Sequence, residues 1–80
     1  MVWHIVKNEE NDKEIFIGYS YENSDICDGV LRYNKDSNEI DIIRLSESTD
    51  AERTKRLFEH IYYVLRHNIT FEKKRRVCTG

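Results

Sequence analysis

An α+β domain is what this chain predicts: an antiparallel meander of four strands, with a candidate fifth edge strand at the C-terminus, and one helix packed on one face. Two patterns lead there. The hydrophobic period is close to two before Leu45 and close to 3.6 after Asp50. The segments between the alternating runs are short and polar, and short connections join neighbouring strands antiparallel. Size sets the scale. Eighty residues make one small domain, 39% hydrophobic, which suffices for one core layer despite 35% charged residues. A chain of this length buries only about 60% of the surface its unfolded form exposes.

The elements follow in order. Val2–Lys7 reads as a first strand, and Asn8-Glu9-Glu10-Asn11-Asp12 as a polar turn. Glu14–Tyr21 reads as a second strand, with Ile15, Ile17, Tyr19 and Tyr21 on one face and Phe16, Gly18 and Ser20 on the other. Glu22–Asp28 is a loop. In it Ser24 and Asp25 can bond nearby amides, Cys27 can plug the core beneath, and Asp28-Gly29 suits a closing turn with permissive glycine dihedrals. Val30–Asn34 is a third strand, and Lys35-Asp36-Ser37-Asn38 a four-residue hairpin turn. Glu39–Leu45 is a fourth strand, with Ile40 and Ile42 facing one way and Ile43 and Leu45 the other.

The helix is expected over residues 50–67. Thr49-Asp50-Ala51-Glu52 matches a capping box, in which a hydroxyl serves the N3 amide and a carboxylate reaches back. Leu57, Phe58, Ile61, Val64 and Leu65 share one stripe, with Thr54 inside it and Ala51 and Tyr62 at its edge. Asn68 can take the left-handed conformation that ends a helix. Ile69 and Phe71 resume burial, and Arg75–Thr79 is the candidate last strand, antiparallel beside the first. One helix covers one face of such a sheet. The apolar residues of the other face then need solvent, a second subunit or a partner.

Charge is split along the chain. Residues 1–50 hold 12 Asp/Glu and 5 Lys/Arg; residues 51–80 hold 3 Asp/Glu and 8 Lys/Arg. The total of −2 hides the split. On the helix, Arg53, Arg56, His60, Tyr63 and His67 fall on one shoulder with no acid among them. The opposite shoulder mixes Glu52, Lys55, Glu59 and Arg66, which can pair along the helix. Lys73, Lys74, Arg75 and Arg76 add four more cations. Two readings stand at this point: a docking stripe for an anionic partner, or a stripe lying along the domain's own acidic sheet edge.

Other chemistry is poorly supplied. Nucleic acid is disfavoured because the aromatics sit mainly in acidic strands, the overall charge has the wrong sign and no RNP signature is present. His60 and His67 stand two turns apart rather than at the i, i+4 spacing that shares one zinc, and no Cys-x-x-Cys pair exists. No nucleophile elbow or glycine-rich phosphate loop appears, and there are only three glycines. No catalytic residue, metal or cofactor is therefore expected. Cys27 and Cys78 suit reduced thiols, no run approaches a membrane span, and no signal peptide opens the chain, which makes the cytoplasm the expected location.

The loop Ser24-Asp25-Ile26-Cys27-Asp28-Gly29, with Gly18-Tyr19-Ser20-Tyr21 before it, Tyr33 after it and the Lys73–Gly80 ending, resembles a set of short bacterial proteins with no assigned role. The resemblance covers most of the chain. It implies a single compact domain and the bacterial cytoplasm, and supplies no activity or site residues. The expectation is a non-catalytic interaction or regulatory domain, binding an unidentified protein or itself as a homodimer through the open sheet face or an edge strand. Polyanion or nucleic-acid binding by the helix shoulder and the basic tail is the alternative.

Overall fold

The computed structural model describes residues 2–22, 24 and 26–78. Five strands form one antiparallel sheet in the order β4-β3-β2-β1-β5, and one helix packs against it. The strands are β1 (Val2–Glu10), β2 (Glu14–Tyr21), β3 (Gly29–Asn34), β4 (Glu39–Arg44) and β5 (Arg75–Cys78); the helix α1 is Ala51–Arg66. β1 to β4 form a meander, and the chain then crosses by way of α1 to place β5 antiparallel beside β1.

β1 runs three residues further than its alternation predicts. The register passes from Lys7 opposite Ile17 to Glu9 opposite Phe16, so Asn8 is the extra residue of a β-bulge. The bulge lets polar Asn8, Glu9 and Glu10 stay in a strand that the sequence pattern ends at Lys7. The turn that follows is tied by the Asn11 side chain, whose Oδ1 accepts from the Lys13 and Glu14 amides at 2.9 and 2.8 Å. β4 stops at Arg44, one residue short of expectation, after a second register shift opposite Val30 and Leu31. Asp25, assigned an amide-bonding role from sequence, and Thr79, assigned to the last strand, lie outside the described residues.

Alternation places Trp3 and Ile5 of β1, Ile15, Ile17 and Tyr19 of β2, Leu31 of β3, Ile40 of β4 and Val77 of β5 beneath the helix. Leu57, Ile61 and Val64 meet them from α1, and Phe71 closes the end of the layer. Phe58, Tyr62 and Leu65 pack at the margin, while Ala51 is exposed.

The helix start differs from the expected box. Asp50, not Thr49, is the N-cap: its Oδ1 accepts from the Arg53 amide at 2.8 Å. The Thr49 hydroxyl is buried with no hydrogen-bond partner. Asp50 wins because it sits three residues before an amide it can reach from an extended backbone. At the other end His67 is the C-cap and Asn68 adopts φ 54°, the left-handed turn expected of it. No helix is long and apolar enough to cross a membrane.

A buried polar network fixes the N-terminal end of the helix to the sheet. Thr54 Oγ1 donates to the Asp50 carbonyl at 2.7 Å, so it accepts from the Tyr19 hydroxyl, 3.3 Å away. Tyr19 also accepts from the Ser46 amide at 3.1 Å. Ser46 Oγ donates to Asp28 Oδ1 at 2.5 Å, and Asp28 Oδ2 takes the Glu47 amide. The Ser46 hydroxyl bond holds the Asp28 carboxyl below its ordinary range. The Asp28 side chain thus pins the β4–α1 connection, while its amide donates to the Ile26 carbonyl at 2.8 Å within its own turn. Gly29 has no positive φ; it is required because any Cβ there would enter the Tyr19 ring.

Candidate functional site

The opposite flanks of α1 face opposite edges of the sheet. Tyr62 meets Tyr33 of β3 edge-on, with ring centroids 6.2 Å apart. On the other flank the Arg53 guanidinium lies 5.8 Å from the Tyr21 ring centroid, and Tyr21 stands opposite Trp3, which stands opposite Val77 of β5. The shoulder carrying Arg53, Arg56, His60 and His67 therefore overlooks β1 and β5. The segment Lys73–Arg76 leads into and forms β5 itself. Two basic stretches separated in sequence share one edge of the molecule, and a depression of about 410 Å³ lined by Thr70, Glu72, Lys73, Lys74 and Arg75 lies at its corner.

The shoulder is not matched to the acidic part of the sheet. Three cations of the N-terminal half pair with Glu10, Glu14 and Asp41 instead. Arg32 pairs with Asp41 at 3.0 Å and Glu14 at 3.6 Å, while Lys7 and Lys35 hold Glu10 between them at 2.9 and 2.7 Å. Bonds from Lys35 and then Lys7 pull the Glu10 carboxyl down to about 2. The Lys7 ammonium is raised in turn, chiefly by Glu10. Arg53 reaches Asp50 at 3.7 Å, within its own first helical turn. Among the described residues Arg56, Lys73, Arg75 and Arg76 form no ion pair. The other shoulder, expected to pair internally, has no ion pair among Glu52, Lys55, Glu59 and Arg66.

The nine residues singled out from sequence thus separate into parts with different surroundings. Arg53, Arg56, Arg75 and Arg76 are exposed cations at the edge, as are Lys73 and Lys74 at its corner, and His60 is half-buried at the base of the shoulder. The Tyr63 and His67 rings touch at a tilt of 45°, centroids 4.3 Å apart, and Tyr63 is 54% exposed. Sequence reasoning missed the Lys7–Glu10–Lys35 cluster, because Lys35 joins the local Lys7–Glu10 pair from 25 residues away through strand pairing.

The sheet face away from the helix is less bare than the sequence implies. Residues of the 22–28 loop fold over one end of it. Ser20 is fully buried there, donating to the Ser24 carbonyl at 2.6 Å, and Cys27 Sγ lies 3.8 Å from the His4 carbonyl. Cys27 therefore plugs this face and not the core under the helix. Ile26 remains 72% exposed, with Ile43 at 50% and Leu45 at 44% toward the β4 edge. His4, Arg32, Arg44 and Arg76 share this face with half-buried Val2, Val6, Phe16 and Val30.

Among the described residues no group of three His, Cys, Asp or Glu side chains is gathered to hold a metal. Comparison with family models, curated proteins and solved structures finds no match.

Proposed function

We propose that this is a binding domain that docks an acidic partner protein on the edge built from the α1 shoulder and β5. The observation that carries the reading is a set of cations with no ion pair among the described residues: Arg56, Lys73, Arg75 and Arg76 share one edge, while Glu10, Glu14 and Asp41 of the sheet are paired with Lys7, Arg32 and Lys35. Such a patch attracts an anionic surface over roughly a Debye length, about 8 Å at physiological salt, and speeds encounter. The Tyr19–Thr54–Asp50 bonds support it by fixing the helix end that bears Arg53 and Arg56.

The test is fluorescence anisotropy of a labelled oligoglutamate peptide against the protein and its Arg53→Glu/Arg56→Glu variant. The paired reversal is expected to weaken binding by about tenfold or more. Unchanged affinity in a variant that keeps its melting temperature would overturn the reading.

Self-association through the sheet face away from the helix is the competing reading, favoured by exposed Ile26, Ile43 and Leu45. Light scattering separates the two, since the docking reading alone expects a mass of 9.7 kDa at micromolar concentration.

A further inference from the structure

We infer that the partner engages this edge as an extended acidic strand, added to the sheet beside β5. The inference rests on the docking reading above and adds to it the shape of the ligand.

The backbone directions carry it. The Glu22 amide donates to the Val2 carbonyl at 2.7 Å, so Val2 turns its backbone groups toward β2. Successive residues of a strand alternate, and Trp3 and Ile5 therefore turn theirs toward β5. The Lys7 amide agrees, donating outward to the Phe71 carbonyl at 2.7 Å. Trp3 stands opposite Val77 and Ile5 opposite Arg75, which makes those two β5 residues the inward-bonded ones. Arg76 and Cys78 consequently present their N–H and C=O groups away from the sheet. An edge of this kind is a template for another strand.

Charge selects what can use the template. Arg76 projects on the side of His4 and Cys78, while Arg75 projects on the helix side, beneath the α1 shoulder. An added strand alternates its side chains between those two sides, and both offer cations. A second β5 would bring like charges together, which opposes pairing of two copies through this edge. The β4 edge of a second copy fits less well, because Asp41 is already held by Arg32 at 3.0 Å and a register shift distorts the strand. A nucleic acid lacks the alternating N–H and C=O groups that match an edge strand, although its phosphates suit the same cations. An extended acidic peptide satisfies both backbone and charge.

The experiment uses a labelled peptide of about ten residues alternating Glu and Val, measured by anisotropy against the protein, Arg76→Ala and Arg76→Pro. Arg76→Ala removes one charge. Arg76→Pro removes the same charge and an outward N–H, without taking a bond from the β1–β5 ladder. Proline is expected to weaken binding about tenfold beyond alanine, through the lost bond and the crowding of its ring. Two further probes, N-methylated at alternate amides in opposite registers, test the same point on the unaltered protein. One is expected to bind like the parent peptide and the other to lose binding.

Equal affinities for the two Arg76 variants, with both methylated probes binding like the parent, would overturn the strand geometry and leave the acidic docking reading intact. No binding of the parent peptide, with salt-sensitive binding of a mixed-sequence oligonucleotide, would overturn both.

Discussion

Gly29→Ala tests the packing that holds the site in place. A Cβ at Gly29 would stand 2.6 Å from Cζ and 2.7 Å from Cδ1 of Tyr19, and closer still to Cε1. Carbon atoms in contact prefer about 3.5–4.0 Å, so the ring would have to retreat by roughly an ångström. It has nowhere to go. Tyr19 is fully buried, and its hydroxyl is bonded to Thr54 and to the Ser46 amide. Overpacking of this kind costs about 1–3 kcal/mol, and a rigid anchored ring belongs at the upper end. Alanine returns roughly 0.4–1 kcal/mol by restricting the unfolded chain, leaving a net loss of about 2 kcal/mol. For a domain of this size that corresponds to a melting temperature lower by about 8–16 °C. Urea unfolding followed by the fluorescence of buried Trp3 measures the loss. Combining the change with Tyr19→Leu, which removes the obstructing ring, should cut the cost of Gly29→Ala by more than about 1 kcal/mol in a double-mutant cycle. A Gly29→Ala protein within about 0.5 kcal/mol of the parent would refute the steric argument.

Other expectations follow from single contacts. Asp50→Ala removes the helix cap and should cost about 1 kcal/mol in a urea titration, whereas Thr49→Ala, at an unpartnered hydroxyl, should cost much less. Glu10 titrates below its unfolded value, so its ion pairs stabilise the fold above pH 4.5 and the contribution is lost as pH falls toward about 2. The melting-temperature advantage of the parent over Glu10→Gln should therefore be present at pH 7 and shrink across that acidic window; an advantage that persists to its lower end would contradict the pairing with Lys7 and Lys35. Exposed Cys78 should react with iodoacetamide well before Cys27, which lies partly buried beneath its loop, and peptide mass mapping at early times would show the order.

The fold was legible where one periodicity dominated. Ile15, Ile17 and Tyr19 share one face of β2 at a period of two, and Leu57, Ile61 and Val64 mark a helix stripe. The failures lie where a local pattern met a long-range partner. Asn8, Glu9 and Glu10 look like a turn in sequence, yet a bulge keeps them in β1, with Glu10 held by Lys35 from 25 residues away. Thr49 looks like a cap, but the extended backbone at Asp50 brings that carboxylate to the Arg53 amide. Gly29 suggests permissive dihedrals, while its real constraint is a ring on the neighbouring strand. The basic shoulder was visible as a helical stripe, and β5 as a short basic run. Their meeting on one edge depends on the crossing direction of α1, which follows from which flank Tyr33 and Tyr21 accept. No local signal encodes that choice.

Amide shift mapping of the isotope-labelled protein during titration with the Glu/Val peptide tests the docking edge most directly. Docking there predicts the largest shifts at Arg53, Arg56, His60 and Lys73–Arg76, with shifts that collapse as salt is raised. Salt-resistant shifts centred on Phe16, Val30 and Ile43, across the face away from the helix, would contradict it.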